Sequence, residues 1–252
     1  MTDRVALVTG AGQGIGRAIA QRLAEDGHRV AVADLNPATA REVAEEITQS
    51  GATAVAVTID VADTVSVQAA VAAVADKLGP IDVVVNNAGF DVLMPFLETT
   101  EEFWDRILDV NFKGALRVIH AAAPGMIERR WGRIVNIASD AGRVGSSLEA
   151  VYSGAKGGII AFSKTLAREL ARTGVTVNSV CPGPTETPLL QGIAEAGGDD
   201  SAKVIGAMTR AVPMKRLAQP SDIAGAVAYF TSDAAAYVTG QTLSVSGGLT
   251  MA

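Results

Sequence analysis

The chain has 252 residues, 48% hydrophobic and only 4% aromatic, with a formal net charge of −6. That length fits one large α/β domain, and an apolar fraction rich in Ala, Val and Gly suits a parallel sheet covered closely by helices. An acidic balance without a basic stripe argues against a nucleic-acid partner, and no run of eighteen uncharged apolar residues predicts a membrane span.

The start, MTDRVALVTG, carries no apolar signal region and runs straight into a strand. Strand-like runs then alternate with longer helical patterns. Val5–Thr9 reads as a buried strand, and Gly14–Glu25 as the helix after it. Arg29–Asp34 is the second strand and Pro37–Gln49 the second helix. Ala54–Ile59, Val65–Leu78 and Ile81–Asn86 continue as strand, helix and strand. Thr99 stands three residues before Glu102 in a Thr-x-x-Glu capping box, which predicts a long helical region opening near Glu101. Arg133–Ala138 is the fifth strand, Tyr152–Thr173 a helix and Thr176–Val180 the sixth strand. Ser221 is expected to cap a helix over Asp222–Thr231, and Thr242–Val245 reads as a seventh strand. Repeated β-α units of this kind imply a doubly wound parallel seven-stranded sheet with helices on both faces, in one domain over residues 1–252.

The first strand leads into Thr9-Gly10-Ala11-Gly12-Gln13-Gly14-Ile15-Gly16, which opens the first helix. Gly10, Gly14 and Gly16 let the backbone turn tightly and approach a pyrophosphate at the positive helix end, with Gln13 and Ile15 in the same turn. Asp34 ends the second strand, eighteen residues after Gly16. A carboxylate there accepts bonds from both ribose hydroxyls of adenosine and repels a 2′-phosphate, which predicts NAD rather than NADP. The alternative is a helix-capping Asp ahead of Asn36-Pro37. Asp60 and Val61, at the end of the third strand, either hold the adenine edge or cap the strand.

Tyr152 and Lys156 stand four residues apart, and Ser139 lies thirteen residues before the tyrosine. Positions i and i+4 share a helix face, so the phenol and the ammonium can serve one spot. Bringing a tyrosine from about 10 to near 7 takes about 4 kcal/mol. One cation at about 4 Å, at an effective dielectric near 20, supplies about that much. The pair therefore has the energetics of a general acid/base.

Taken together, these residues resemble the short-chain dehydrogenase/reductase family over essentially the whole chain. The motifs are Thr9–Gly16, Asn86-Asn87-Ala88-Gly89, Asn111, Ser139, Tyr152-x-x-x-Lys156, and Pro182-Gly183 followed by Thr185 and Thr187. The resemblance implies a single Rossmann-like domain and a homotetramer. It makes Tyr152 the catalytic acid/base and has Lys156 lower its pKa and hold the nicotinamide ribose. Ser139 would bond the substrate oxygen, and Asn111 would position a water linking Lys156 to solvent. Asn87, Ala88 and Gly89 would line the adenosine side of the groove, and Pro182, Gly183, Thr185 and Thr187 the nicotinamide end. More narrowly, the stretches 136–147, 181–185 and 243–251 resemble 2-hydroxycyclohexanecarboxyl-CoA dehydrogenases, and more loosely 3-oxoacyl-[acyl-carrier-protein] reductases. The expected reaction is NAD-dependent interconversion of a secondary alcohol and a ketone, on a substrate that is a coenzyme A thioester. The different-class readings are an NAD-binding regulator without chemistry and a methyltransferase, neither of which needs all three of Ser139, Tyr152 and Lys156.

Other residues near the predicted site remain open. Arg143 either reaches the substrate or pairs with Glu149 in the same loop. Asp91 and Asp140 lie near the active-site mouth by sequence order. Residues 183–219 carry Pro184, Pro188, Pro213 and the run Gly197-Gly198-Asp199-Asp200. They follow the sixth strand, which predicts a mobile substrate lid with some helix. Its cations Lys203, Arg210, Lys215 and Arg216 are candidates for coenzyme A phosphates. Cys181, the only cysteine, is expected to be a buried packing residue; it permits no intrachain disulfide and fits a reducing cytoplasm. His28 and His120 carry no metal-ligand pattern.

Overall fold

The computed structural model describes residues 3–196 and 201–251, so the run 197–200 lies outside the described residues. In chain order the elements are β1 (Val5–Thr9), α1 (Gly14–Glu25), β2 (Arg29–Asp34), α2 (Pro37–Gln49), β3 (Ala54–Thr58), α3 (Thr64–Leu78) and β4 (Ile81–Asn86). There follow α4 (Glu101–Leu108), a π turn over Asp109–Lys113, α5 (Gly114–Glu128), β5 (Gly132–Ile137), a short α6 (Ala141–Val144) and α7 (Ala150–Leu170). The chain continues through β6 (Val175–Pro182), α8 (Pro188–Ala196), α9 (Ser201–Ala211), α10 (Pro220–Thr231) and β7 (Thr242–Val245).

All seven strands are parallel, in the order β3-β2-β1-β4-β5-β6-β7. Alternate strand residues face opposite layers. Val5 and Leu7 pack with Val67 and Val74 of α3, Val118 and Met126 of α5, and Leu170 of α7. Ala6 and Val8 pack with Ile19 and Leu23 of α1, Val43 and Ile47 of α2, and Ile223 and Val227 of α10. Helices therefore cover both faces, which is why these strands read as continuous apolar runs rather than alternating ones. The strand order reverses between β1 and β4, and in sheets of this kind ligands bind at the carboxyl ends of the strands beside such a reversal.

Two helix caps differ from expectation. Thr100, not Thr99, caps α4: its Oγ1 accepts from the Phe103 amide at 3.3 Å. Thr99 is already committed to the preceding 3-10 turn, donating to the Phe96 carbonyl and accepting from Trp104 Nε1 at 2.6 Å. Gln219, not Ser221, caps α10, because Pro220 takes the first helical position and Asp222 reaches back to the Gln219 amide at 2.7 Å. The helix expected over 152–173 begins at Ala150 and ends at Leu170. The stretch expected as a lid carries α8 and α9 among its described residues. Among the described residues no helix is long and apolar enough to cross a membrane.

Candidate active site

The turn from β1 to α1 is shaped by two glycines at positive φ, Gly10 at 61° and Gly14 at 54°. Gly10 lies so close to the β4 loop that a Cβ would stand 2.9 Å from Ala88 Cα. Thr9 and Asn87 fasten the turn. The Asn87 and Ala88 amides donate to Thr9 Oγ1 at 3.0 and 3.1 Å. Asn87 Nδ2 donates to the carbonyls of Thr9 and Gly10, both at 3.0 Å. The carboxamide expected to line the adenosine side is thus occupied in stapling the glycine turn to β4. Gly16, also expected at the cofactor, instead packs the helix onto its own turn: a Cβ there would stand 2.1 Å from the Gly10 carbonyl oxygen.

Asp34 projects from the end of β2 with both oxygens oriented by backbone amides, Oδ2 by Gly12 at 2.8 Å and Oδ1 by Asn36 at 2.9 Å. Asn36 itself caps α2, accepting from the Ala38 amide, so Asp34 is not the helix cap. Asp60 Oδ1 accepts from the Ala62 amide at 2.8 Å, which closes a tight turn after β3.

These elements border a cleft of about 1020 Å³ along the carboxyl ends of the strands. Gly10, Gln13, Gly14, Ile15, Asp34, Asp60, Val61, Asn87, Ala88 and Gly89 line one end. Ser139, Asp140, Glu149, Tyr152, Lys156, Pro182, Gly183, Thr185 and Thr187 line the other. The residues present fit a dinucleotide. The N-terminus of α1 carries no side-chain cap, leaving its amides for a phosphate, and Gly14 keeps the backbone bare where it faces Thr187.

At the inner end, α7 presents Tyr152 and Lys156 one turn apart, and Ser139 follows β5 directly. Ser139 and Tyr152 both line this end of the cleft. Lys156 is 4% exposed, donates to the Ile137 carbonyl at 3.0 Å, and holds its Nζ 5.5 Å from the centre of the Tyr152 ring. Burial holds the lysine down to about 8. The phenol departs from expectation: its pKa is raised, not lowered. Burial is the main cause, the carboxyls of Asp91 and Glu149 add to it, and only the Ser139 hydroxyl opposes them.

Asn111 sits in the π turn between α4 and α5. Its Nδ2 donates to the carbonyls of Ile107 at 3.0 Å and Phe90 at 2.8 Å. A side chain that takes the carbonyl four residues back displaces the regular helix bond, which accounts for the wide turn. A Cβ on Gly89 would stand 2.7 Å from Asn111 Oδ1 and 3.4 Å from Lys156 Nζ, so this glycine keeps open the space between carboxamide and ammonium. Behind them Asn86 Nδ2 donates to Asn136 Oδ1, and Asn136 Nδ2 to Ser163 Oγ, both at 2.8 Å, tying β4, β5 and α7 together.

Two substrate candidates have structural partners instead. The Ser244 hydroxyl donates to Asp140 Oδ1, and Arg143 Nη1 donates to Ser244 Oγ at 2.7 Å. Both residues therefore tie the Ser139 loop to β7, and Arg143 engages Ser244 rather than Glu149. Of the cations in 183–219, Lys215 donates to the Arg210 carbonyl and Arg216 pairs with Asp222. Lys203 and Arg210 are exposed. Cys181 is fully buried against Ile159 and Ile160, and burial pushes its thiol up to about 12. Among the described residues no group of His, Cys, Asp or Glu suits a metal ion. Sequence reasoning missed the apolar wall of the cleft, Phe90, Leu93, Val144, Leu189, Leu190, Met208 and Leu249, which follows no motif or spacing.

The family model described as enoyl-(acyl carrier protein) reductase matches residues 10–250. The chain belongs to the short-chain dehydrogenase/reductase family. It is 43% identical over 253 residues to a putative ketoacyl reductase of Streptomyces coelicolor, covering 98% of this chain and 97% of that one. It is 41% identical over 250 residues to the 3-oxoacyl-[acyl-carrier-protein] reductase FabG of Staphylococcus aureus, covering 98% of each. The crystal structure of a point variant of actinorhodin polyketide ketoreductase with NADPH superposes with a TM-score of 0.94 at 43% identity, covering 98% of this chain and 97% of that one. The chain is thus an oxidoreductase of a family that works with a nicotinamide cofactor.

Proposed function

We propose that this chain reduces the ketone of a 3-oxoacyl thioester to a secondary alcohol, with NADH as the hydride donor. The observation that carries the reading is that Ser139, Tyr152 and Lys156 line the inner end of one cleft, with Lys156 anchored to the Ile137 carbonyl one helical turn from the phenol. Reduction needs an acid at the ketone oxygen, and a protonated phenol is that acid. Two hydroxyls at one end of the cleft suit an oxygen that becomes an alcohol better than the carbons of an alkene.

A bound nicotinamide dinucleotide supplies the hydride. Ser139 holds the ketone oxygen. Tyr152 gives its phenolic proton to that oxygen as the carbonyl carbon gains hydride, so one O–H bond breaks and another forms. Lys156 stabilises the phenolate left behind and holds the nicotinamide ribose, and Asn111 lies on the route by which protons reach Lys156. Gly10, Gln13, Gly14, Ile15, Asp60, Val61, Ala88 and Gly89 receive the adenosine and pyrophosphate. Pro182, Gly183, Thr185 and Thr187 receive the nicotinamide, and α8 and α9 close over the substrate as a lid.

Asp34 supports NADH over NADPH, because its fixed carboxylate accepts from ribose hydroxyls and repels a phosphate there. In this the chain would differ from the ketoreductase structure with NADPH. The names of the relatives favour 3-oxoacyl reduction over oxidation of 2-hydroxycyclohexanecarboxyl-CoA. A cytoplasmic homotetramer completes the reading; the exposed Tyr237, Leu243 and Met251 near the β7 edge support association.

The test is NADH and NADPH consumption across acetoacetyl-CoA, its N-acetylcysteamine thioester, cyclic 3-oxo thioesters and simple ketones. Thioesters with NADH are expected to give the highest kcat/KM. Activity confined to simple ketones would discard the thioester reading.

A further inference from the structure

Ser139 stands on a short loop that the fold grips from several sides. The Ala138 amide donates to the Val180 carbonyl at 2.8 Å and the Asp140 amide to the Pro182 carbonyl at 3.2 Å, which seats the loop on β6. Ser139 Oγ accepts from the Ala141 amide at 3.1 Å, at the first turn of α6. A hydroxyl that accepts there still has its one proton to donate into the cleft, which Ser139 lines. The direction of that hydroxyl therefore depends on where α6 sits. On one side α6 rests on α7: a Cβ on Gly142 would stand 2.6 Å from both the Gly157 nitrogen and the Lys156 carbonyl carbon. On the other side α6 is tied to β7 through Ser244. Arg143 Nη1 donates to Ser244 Oγ at 2.7 Å, and the Ser244 hydroxyl donates to Asp140 Oδ1. One neutral hydroxyl thus stands between a guanidinium and a carboxylate that is 5% exposed. Ser244 is set at this point by its pairing in register with Cys181 of β6.

We propose that Ser244 is a positioning residue for Ser139, acting through Asp140 and Arg143 to hold the Ser139 hydroxyl on the substrate oxygen. The inference rests on Ser139 as the group that holds that oxygen and deepens that reading by naming what fixes its place. Among the described residues Asp140 lines the cleft and Ser244 does not, so Ser244 reaches the substrate only through the loop. Removing its hydroxyl takes a partner from Asp140 Oδ1 and from Arg143 Nη1 at once. Asp140 Oδ2 makes no hydrogen bond among the described residues, so the buried carboxylate would be left without a side-chain partner there. A buried charge without a partner is costly, and the opposite charges on this one turn of chain are then free to draw together. Either relaxation moves the first turn of α6, and with it the Ala141 amide that orients Ser139. Small misplacements at a reacting centre have large effects on rate.

The experiment is a double-mutant cycle between Ser244→Ala and Ser139→Ala. It is read as kcat and KM for reduction of acetoacetyl-CoA and of ethyl acetoacetate, with NADH affinity alongside. The plain ester lets the cycle be read whether or not thioesters are substrates. In the wild-type background Ser244→Ala is expected to lower kcat about tenfold, with KM and NADH affinity moved by less than about twofold. In the Ser139→Ala background it is expected to cost nothing further, because no hydroxyl is left to place. Ser244→Thr keeps the hydroxyl on a residue that suits a strand and is expected to restore most of the rate. Should Ser244→Ala fail to fold, Arg143→Met breaks the same chain of bonds from its other end and is expected to show the same coupling to Ser139. A Ser244→Ala rate within about twofold of wild type overturns the proposal, and so does an equal loss with and without the Ser139 hydroxyl. A fall in NADH affinity that matches the fall in kcat also overturns it. A Ser139→Ala variant at the wild-type rate would instead overturn the assignment of Ser139 on which the proposal rests.

Discussion

Lys156 directs its ammonium to the carbonyl of Ile137 at 3.0 Å, while Tyr152, one helical turn earlier, holds its ring centre 5.5 Å from that nitrogen. The lysine is thus a buried charge anchored to β5, and its effect on the phenol is exerted across space. Because burial lowers its pKa from 10.5 to about 8, its protonated form is destabilised by folding. Stability linked to this group is fully present above the unfolded value of 10.5 and is lost as pH falls through about 8. Lys156→Met, which carries no charge, is therefore expected to unfold at a higher temperature than wild type at pH 7, with the difference shrinking in alkaline solution. The same variant should lose roughly 10²-fold or more in kcat. Calorimetry from neutral to alkaline pH, beside steady-state kinetics, checks both.

Asp34 is held by the Gly12 and Asn36 amides in a fixed orientation. Asp34→Ala is expected to weaken NADH by roughly 10- to 100-fold, the effect of losing hydrogen bonds to a charged acceptor, while NADPH binding improves or stays level. Fluorescence titration with both dinucleotides measures the ratio. A ratio unchanged from wild type would contradict the assignment of Asp34.

Gly89 borders the space between Asn111 and Lys156. A Cβ 2.7 Å from Asn111 Oδ1 forces that carboxamide to shift. Gly89→Ala should cut kcat at least about tenfold by displacing it, since small misplacements at a reacting site have large effects. The melting temperature should move by only a few degrees, because the neighbour that yields is a side chain. A variant that loses fold and turnover together would place Gly89 in the scaffold instead.

Much of this architecture is legible locally. The runs at Val5–Thr9, Arg29–Asp34 and Ile81–Asn86 are strands at the positions expected, because burial on both faces leaves an uninterrupted apolar signature. The glycine turn and the Tyr152–Lys156 spacing are likewise written in neighbouring residues. What pattern reading misses is non-local. Arg143 meets Ser244 across 101 positions, and no property of either residue announces it. The loop after β4 meets the one before α7 through the Met94 amide and the Leu148 carbonyl, a backbone contact that no residue type announces. The raised pKa of Tyr152 could not be anticipated from its lysine alone, since burial above all opposes that charge. The π turn was hidden because Asn111 lies inside an otherwise regular helical pattern, and its two carbonyl partners become visible only in three dimensions.

The account turns on Tyr152 as the group that protonates the ketone. The most direct measurement is the single-turnover rate of 3-oxoacyl thioester reduction by Tyr152→Phe preloaded with NADH, with NADH affinity measured alongside. A fall of about 10² to 10⁴ in rate at nearly unchanged affinity is the expected result. A phenylalanine variant within about tenfold of the wild-type rate would contradict it, because the acid would then have to come from elsewhere in the cleft.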